Sequence, residues 1–258
     1  MSVHASVEDG IATLRLQRGK EMNALDAPTS QAVQDTVKAF AADPAVRVMV
    51  LAGEGPAFSA GGDFNWVLEW PGLDAAARQA GAQAMMGAVQ AVYDFPKPSI
   101  ARVHGAAVGG GIGLMLACDF AVASATARFG LTSARNGLLA AIAIPVLIEA
   151  VGPRVARQLL MHGGIFDARE AERIGLVDRV VEPAALDAAV AGLGRELKLG
   201  APSVQTLVKK LVPQIDALPH DSVAADMLAV HVAEQCVTDD AREGMRAFLD
   251  KRKPRWAV

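Results

Sequence analysis

Two glycine-rich stretches hold the residues best suited to chemistry. The first is Phe58-Ser59-Ala60-Gly61-Gly62-Asp63-Phe64, and the second runs from Gly105 to Asp119 with Gly109-Gly110-Gly111 and Gly113 inside it. Glycine has no Cβ, so a ligand oxygen can approach its backbone N–H closely, and N–H groups that open a helix meet an anion with the positive end of the dipole. A donor from the Gly61-Gly62 turn and another from the triplet could together hold a thioester oxygen as negative charge develops on it. The same glycines could equally serve only tight turns and close packing. The second run does not spell the dinucleotide fingerprint, because Leu114 stands where a third glycine would follow Gly109 and Gly111, so a nicotinamide cofactor is disfavoured. There is also no phosphate-loop lysine, no HExxH helix and no nucleophile elbow. Phosphoryl transfer, zinc proteolysis and serine hydrolysis therefore lack support, and no metal is expected.

The surrounding pattern supplies strands and helices to position these turns. Ile11, Leu14 and Leu16 alternate with polar residues after the turn pair Asp9-Gly10, which predicts a hairpin. Asp26 and Pro28 open a helix whose Val33, Val37 and Phe40 recur at helical spacing until Asp43-Pro44 stops it. The apolar runs 47–51 and 99–103, each followed by glycine, predict buried strands. Between them, 73–92 predicts a helix with Met85, Met86, Val89 and Val92 as a core stripe. A short helix is expected from Asp167 to Ile174, then an apolar run over 176–181, and helices alone from Val204 onward.

The chain of 258 residues is 52% hydrophobic and 21% charged, which excludes a disordered protein. A net charge of −3 gives no cationic footprint for nucleic acid or for an anionic membrane surface. The longest uncharged apolar stretches, 103–118 and 136–148, fall short of the roughly 20 residues of a membrane span. No basic flank leads into an apolar run at the N-terminus, and Cys118 and Cys236 are too few for a disulfide framework, so a reducing cytoplasm is expected.

Ordered motifs along nearly the whole chain resemble the crotonase, or enoyl-CoA hydratase/isomerase, superfamily. They are Asn23-Ala24-Leu25, the 58–63 loop, the glycine run ending at Cys118-Asp119, Phe129-Gly130, Ala168 with Ala171 and Gly175-Leu176-Val177, and 238–253. The resemblance implies an α/β fold, a crotonase-like spiral of ββα repeats over 1–195 with a C-terminal helical trimerisation region over 196–258. It implies an acyl-CoA substrate, no other cofactor, and a homotrimer or dimer of trimers. The two backbone amides that hold the thioester oxygen would fall on Gly62 and Gly110. Lys20, Met22, Ala24, Ala60, Gly62, Asp63 and Phe64 match the family's CoA contacts, while Phe248 and Lys251 match C-terminal contacts often supplied by a neighbouring subunit.

The departures from the family bear on the reaction. Family hydratases place glutamates at the positions of Gly113 and Ser133, and some isomerases place a carboxylate at that of Ala141. Glycine transfers no proton, and a serine hydroxyl without a base is a poor acid or base near neutral pH. The central segment, with Gly137-Leu138-Leu139-Ala140 and Pro145, is nearest the branch that includes methylglutaconyl-CoA hydratases. Candidate groups at the chemistry are then Gly62, Gly110, Ser133, Glu69 and Asp63, although Asp63 in the family more often holds its loop and Glu69 reads by default as exposed. His104 reads as a structural histidine, His162 as peripheral, Cys118 as core and Asp119 as a turn stabiliser. The expected activity is acyl-CoA processing of the enoyl-CoA hydratase/isomerase type. The alternatives are an acyl-CoA-binding protein without hydratase turnover, or a decarboxylase or other reaction of this fold.

Overall fold

The computed structural model describes residues 2–218 and 222–257. Strands β1 (Val3–Glu8) and β2 (Ile11–Leu16) pair antiparallel through Asp9 and Gly10, whose φ of 46° and 73° are the left-handed pair that a two-residue hairpin turn requires. Helix α1 (Ala27–Ala42) starts at Asp26, which accepts a hydrogen bond from the Thr29 N–H at 2.8 Å, and it buries Val33, Val37 and Phe40.

Three repeats then follow one plan: a strand in a large sheet, a strand in a small sheet, and a helical return. They are β3 (Val48–Gly53), β4 (Ala57–Ser59), α2 (Phe64–Leu68) and α3 (Ala75–Tyr93); β5 (Ser99–Val103), β6 (Ala106–Val108) and α4 (Gly110–Leu116); and β7 (Phe120–Ser124), β8 (Arg128–Gly130) and α5 (Ile144–His162). The rest comprises β9 (Ile165–Asp167), α6 (Ala168–Arg173), β10 (Arg179–Val181), α7 (Leu186–Leu197), α8 (Pro202–Asp216), α9 (Ser222–Cys236) and α10 (Asp239–Leu249). The large sheet has the order β1-β2-β3-β5-β7-β10, parallel from β2 onward, and the small sheet has the order β4-β6-β8-β9. This is the ββα spiral.

β3 is apolar on both faces because both are covered. Met49 and Leu51 point into the main core, whereas Val48 and Val50 join Ile100 and Val122 against Leu186 and Val190 of α7. The expected stripe on α3 is corrected at Met86, which is 45% exposed; Met85, Ala88, Val89 and Val92 form the buried face. Adjacent residues on a helix diverge by about 100°, so Met85 and Met86 cannot share one narrow stripe. Of the apolar run 176–181 only β10 pairs as a strand.

Among the described residues beyond β10 there are only helices. Lys209 of α8 pairs with Asp119 at 2.8 Å, and the Thr206 hydroxyl donates to the Pro96 carbonyl at 2.9 Å. The outer faces of these helices leave Val212, Val232, Phe248 and Leu249 largely exposed. Among the described residues no helix is long and apolar enough to cross a membrane.

Candidate active site

The first glycine turn is sewn to the segment before α1. Met22 and Asn23 adopt left-handed φ of 53° and 55°, turning the chain so that the Met22 carbonyl accepts from the Ala60 N–H and the Asn23 carbonyl from the Ser59 hydroxyl. The fully buried Asn23 side chain donates to the Glu54 and Ala57 carbonyls at 2.8 Å and accepts from the Arg18 N–H. Leu25 then brackets Gly62: its N–H donates to the Gly61 carbonyl at 2.6 Å, and its carbonyl accepts from the Asp63 N–H at 2.9 Å. Arg18 closes the arrangement, reaching Asp63 at 2.9 Å, Asp26 at 3.1 Å and the Ala24 carbonyl at 2.7 Å.

The second turn lies against the first. Gly61 has a φ of 82°, and a Cβ there would sit 2.5 Å from the Gly110 nitrogen, so only glycine permits the contact. Gly109, with φ 54° and ψ −120°, turns the chain out of β6, and Gly110 is the first residue of α4. An N–H at that position has no acceptor within its own helix. Among the described residues neither the Gly62 nor the Gly110 N–H donates to a protein acceptor.

Three side chains stand around these turns. Met85 of α3 places its sulfur 3.2 Å from where a Gly62 Cβ would be. Ser133, half-buried on a one-turn helix after β8, places its hydroxyl 3.7 Å from the corresponding point at Gly109, and that hydroxyl makes no hydrogen bond among the described residues. Ile142, on another single turn, touches Gly110 with the end of its side chain. At Gly113, one helical turn deeper, a Cβ would meet the Ile142 carbonyl at 3.2 Å and the Ala143 Cα at 3.3 Å.

Asp63 caps α2, accepting from the Asn65 N–H at 2.9 Å as well as from Arg18. Burial alone would raise its pKa, but the Arg18 hydrogen bond and charge, with the Trp66 and Asn65 N–H groups, outweigh it and hold the carboxyl below the usual range. It is ionised and fully engaged. Glu69 lies past the other end of α2, exposed, its carboxylate without an ion pair or hydrogen bond among the described residues. Neighbouring Trp66 and Trp70 meet edge-on at 5.2 Å.

Lys20 is exposed on a single helical turn, Met22 and Phe64 are partly exposed, and Ala24 is buried. With Ala60, Gly62 and Asp63 they occupy two segments joined by the hydrogen bonds above. Phe248 and Lys251 stand at the end of α10, and among the described residues no hydrogen bond or ion pair ties them to the glycine turns. His104 bonds the Gly55 carbonyl at 2.8 Å through Nε2 and faces Arg102 through Nδ1. Burial, aided by Asp119, pushes the Cys118 thiol far up, so it is protonated and inert. Asp119 accepts from both the N–H and the hydroxyl of Ser99. His162 closes α5.

Arg18, Met85 and Ile142 were not among the sequence candidates. Arg18 meets Asp63 across 45 positions and carries no local signal, whereas Met85 sits on a recognisable apolar face. A cavity of about 730 Å³ between the ends of α3 and α4 and helix α8 is lined by Tyr93, Cys118 and Val212 and does not reach the glycine turns. Among the described residues no three His, Cys, Asp or Glu side chains group as metal ligands.

A family model described as enoyl-CoA hydratase/isomerase matches residues 6–258. The crotonyl-CoA hydratase of Syntrophomonas wolfei is 36% identical over 95% of this chain and 94% of its own. The carnitinyl-CoA dehydratase of Citrobacter koseri is 33% identical over 99% of this chain and 98% of its own. The crystal structure of an enoyl-CoA hydratase from Shewanella pealeana superposes with a TM-score of 0.95 at 28% identity, covering 99% of this chain and 96% of that one.

Proposed function

The chain belongs to the enoyl-CoA hydratase/isomerase family, and from that premise we propose that it binds an acyl-CoA and holds the thioester oxygen on the Gly62 and Gly110 N–H groups. The single observation behind this reading is the contact between the two glycine turns, each with a backbone donor left free. An oxygen accepting from both donors is stabilised as enolate charge builds on it, because the donors are fixed before reaction and need no reorganisation. Arg18, Asp63 and Asn23 serve as positioning residues for Gly62. Lys20 and the Met22–Ala24 backbone form the CoA side of the site, and Met85, Ser133 and Ile142 line the acyl side. No cofactor beyond the CoA of the substrate is needed.

Family hydration uses two carboxylates, and this chain has Gly113 and Ser133 in their places. The two-glutamate route is therefore closed to it: Ser133 presents an unpaired hydroxyl beside Gly109, and Glu69, past the end of α2, is a carboxylate without a protein partner among the described residues. The same absence favours a second reading, an acyl-CoA-binding protein without hydratase turnover. It also admits a reaction in which the substrate carries its own leaving group, such as decarboxylation of a malonyl-type thioester. The apolar outer faces of the 196–258 helices support assembly as a trimer or a dimer of trimers, in which a neighbour supplies Phe248 and Lys251. The unpaired Cys118 and Cys236 suit a reducing cytoplasm.

Calorimetry with crotonyl-CoA and a panel of saturated thioesters tests the assignment, and absence of affinity at millimolar concentration overturns it. Binding without product formation favours the second reading. Gly110→Val should lower turnover by about 10² or more in a folded protein, since its side chain would collide with Ile142 and crowd Gly61, displacing the donor. One lost donor is worth about 10² in rate.

A further inference from the structure

We propose that Ile142 sets the acyl specificity of this site, admitting thioesters unbranched at the carbon next to the carbonyl and excluding those branched there. The inference rests on the thioester placement proposed above and goes beyond it by assigning a side chain to substrate choice. The end of the Ile142 side chain fills the point where a Gly110 Cβ would stand, with Cγ1 3.2 Å from that point, so its terminal methyl lies against the Gly110 Cα. Its carbonyl runs on toward Gly113, and the segment therefore lies along the whole first turn of α4.

This wall is held in place. Ile142 lies between the buried Ala140 and Ala143 on a single helical turn closed by the Ala143 N–H to the Ala140 carbonyl at 3.1 Å, and its side chain packs against the main core. A β-branched side chain has few rotamers, so it yields less readily than Met85, the unbranched side chain facing Gly62 across the site.

An oxygen about 2.9 Å from the Gly110 nitrogen brings the carbon next to the thioester carbonyl within about 6 Å of the Gly110 Cα. A hydrogen on that carbon fits beside the Ile142 methyl. A methyl branch competes with it for the same space, and one methyl in a fitted pocket changes affinity about tenfold or more.

Butyryl-CoA and isobutyryl-CoA are isomers, so their comparison isolates the branch from total apolar size, and as saturated thioesters both report binding alone. By calorimetry the protein should bind butyryl-CoA at least about tenfold more tightly. Ile142→Val deletes only the methyl that touches Gly110 and should reduce the preference below about threefold, and Ile142→Ala should remove it. Equal affinity for the two isomers in the unmodified protein, or an undiminished preference in a folded Ile142→Val, overturns the proposal. Absence of binding to both thioesters overturns the acyl-CoA reading beneath it as well, which keeps the two failures distinct.

Discussion

Replacing Arg18 with methionine removes the guanidinium that ties the first glycine turn to the segment before α1 while keeping an apolar stem. Asp63 would keep the Asn65 N–H at 2.9 Å but lose the cation at 2.9 Å, with its side chain only 9% exposed. Deleting one member of a buried ion pair costs about 3–5 kcal/mol, because the remaining charge is stranded. Arg18 at 19% and Asp26 at 22% exposure are partly wetted, which puts the expected loss at the lower end, about 3 kcal/mol. Urea unfolding measures it. Asp63→Asn in the Arg18→Met background removes the stranded charge and retains a capping oxygen, so the double variant should regain more than half of the loss. The native Asp63 pKa is depressed, so its stabilisation is present above the unfolded value of about 3.9 and disappears as pH falls through the lower native value. Arg18→Met should abolish that acid limb. A loss below about 1 kcal/mol, as for an exposed pair, or a double variant no more stable than the single one, refutes the clamp.

Gly113→Glu should destabilise the protein by about 1–3 kcal/mol in thermal unfolding, because even its Cβ crowds the Ile142 carbonyl and the Ala143 Cα. Ser133→Glu, at a half-buried position with an unpaired hydroxyl, should melt nearly where the unmodified protein does; the reverse order contradicts the packing. Crotonyl-CoA hydration should be slower than in a two-glutamate relative by at least about 10², and neither single replacement should restore it, since the two carboxylates act as a unit. Hydration at the relative's rate sinks this mechanistic reading. Glu243 accepts from Arg252 at 2.7 and 3.0 Å and from the Arg255 N–H at 2.9 Å, which pushes its carboxyl down to about 2. Its tie to the C-terminal segment should persist above its unfolded pKa and fail as pH approaches 2; an NMR titration midpoint above about 4 would contradict it.

Elements with a long period or a strong terminator were legible in the sequence. Asp9-Gly10 marked the hairpin, Asp26 with Pro28 marked the start of α1, and the apolar run 99–103 coincides with β5. The small sheet was not legible, because strands such as β4, β6 and β8 span three residues each, too few to show alternation. The glycines of the site announced themselves because few other residues tolerate such backbone. Their surroundings did not: Arg18 acts across 45 positions, and Ile142 lies in an apolar stretch where nothing local marks its contact with Gly110. Asp63 could be read as cap or acid from its position, and only its partners separate the two roles.

Infrared spectroscopy of butyryl-CoA labelled with ¹³C at the thioester carbonyl observes directly the bond that Gly62 and Gly110 are proposed to polarise. Two backbone donors on the oxygen should shift the carbonyl stretch of the bound ligand to lower frequency than in water, and Gly110→Val should reverse the shift in whatever ligand it still binds. A bound thioester whose carbonyl band matches that of the free ligand would contradict the account.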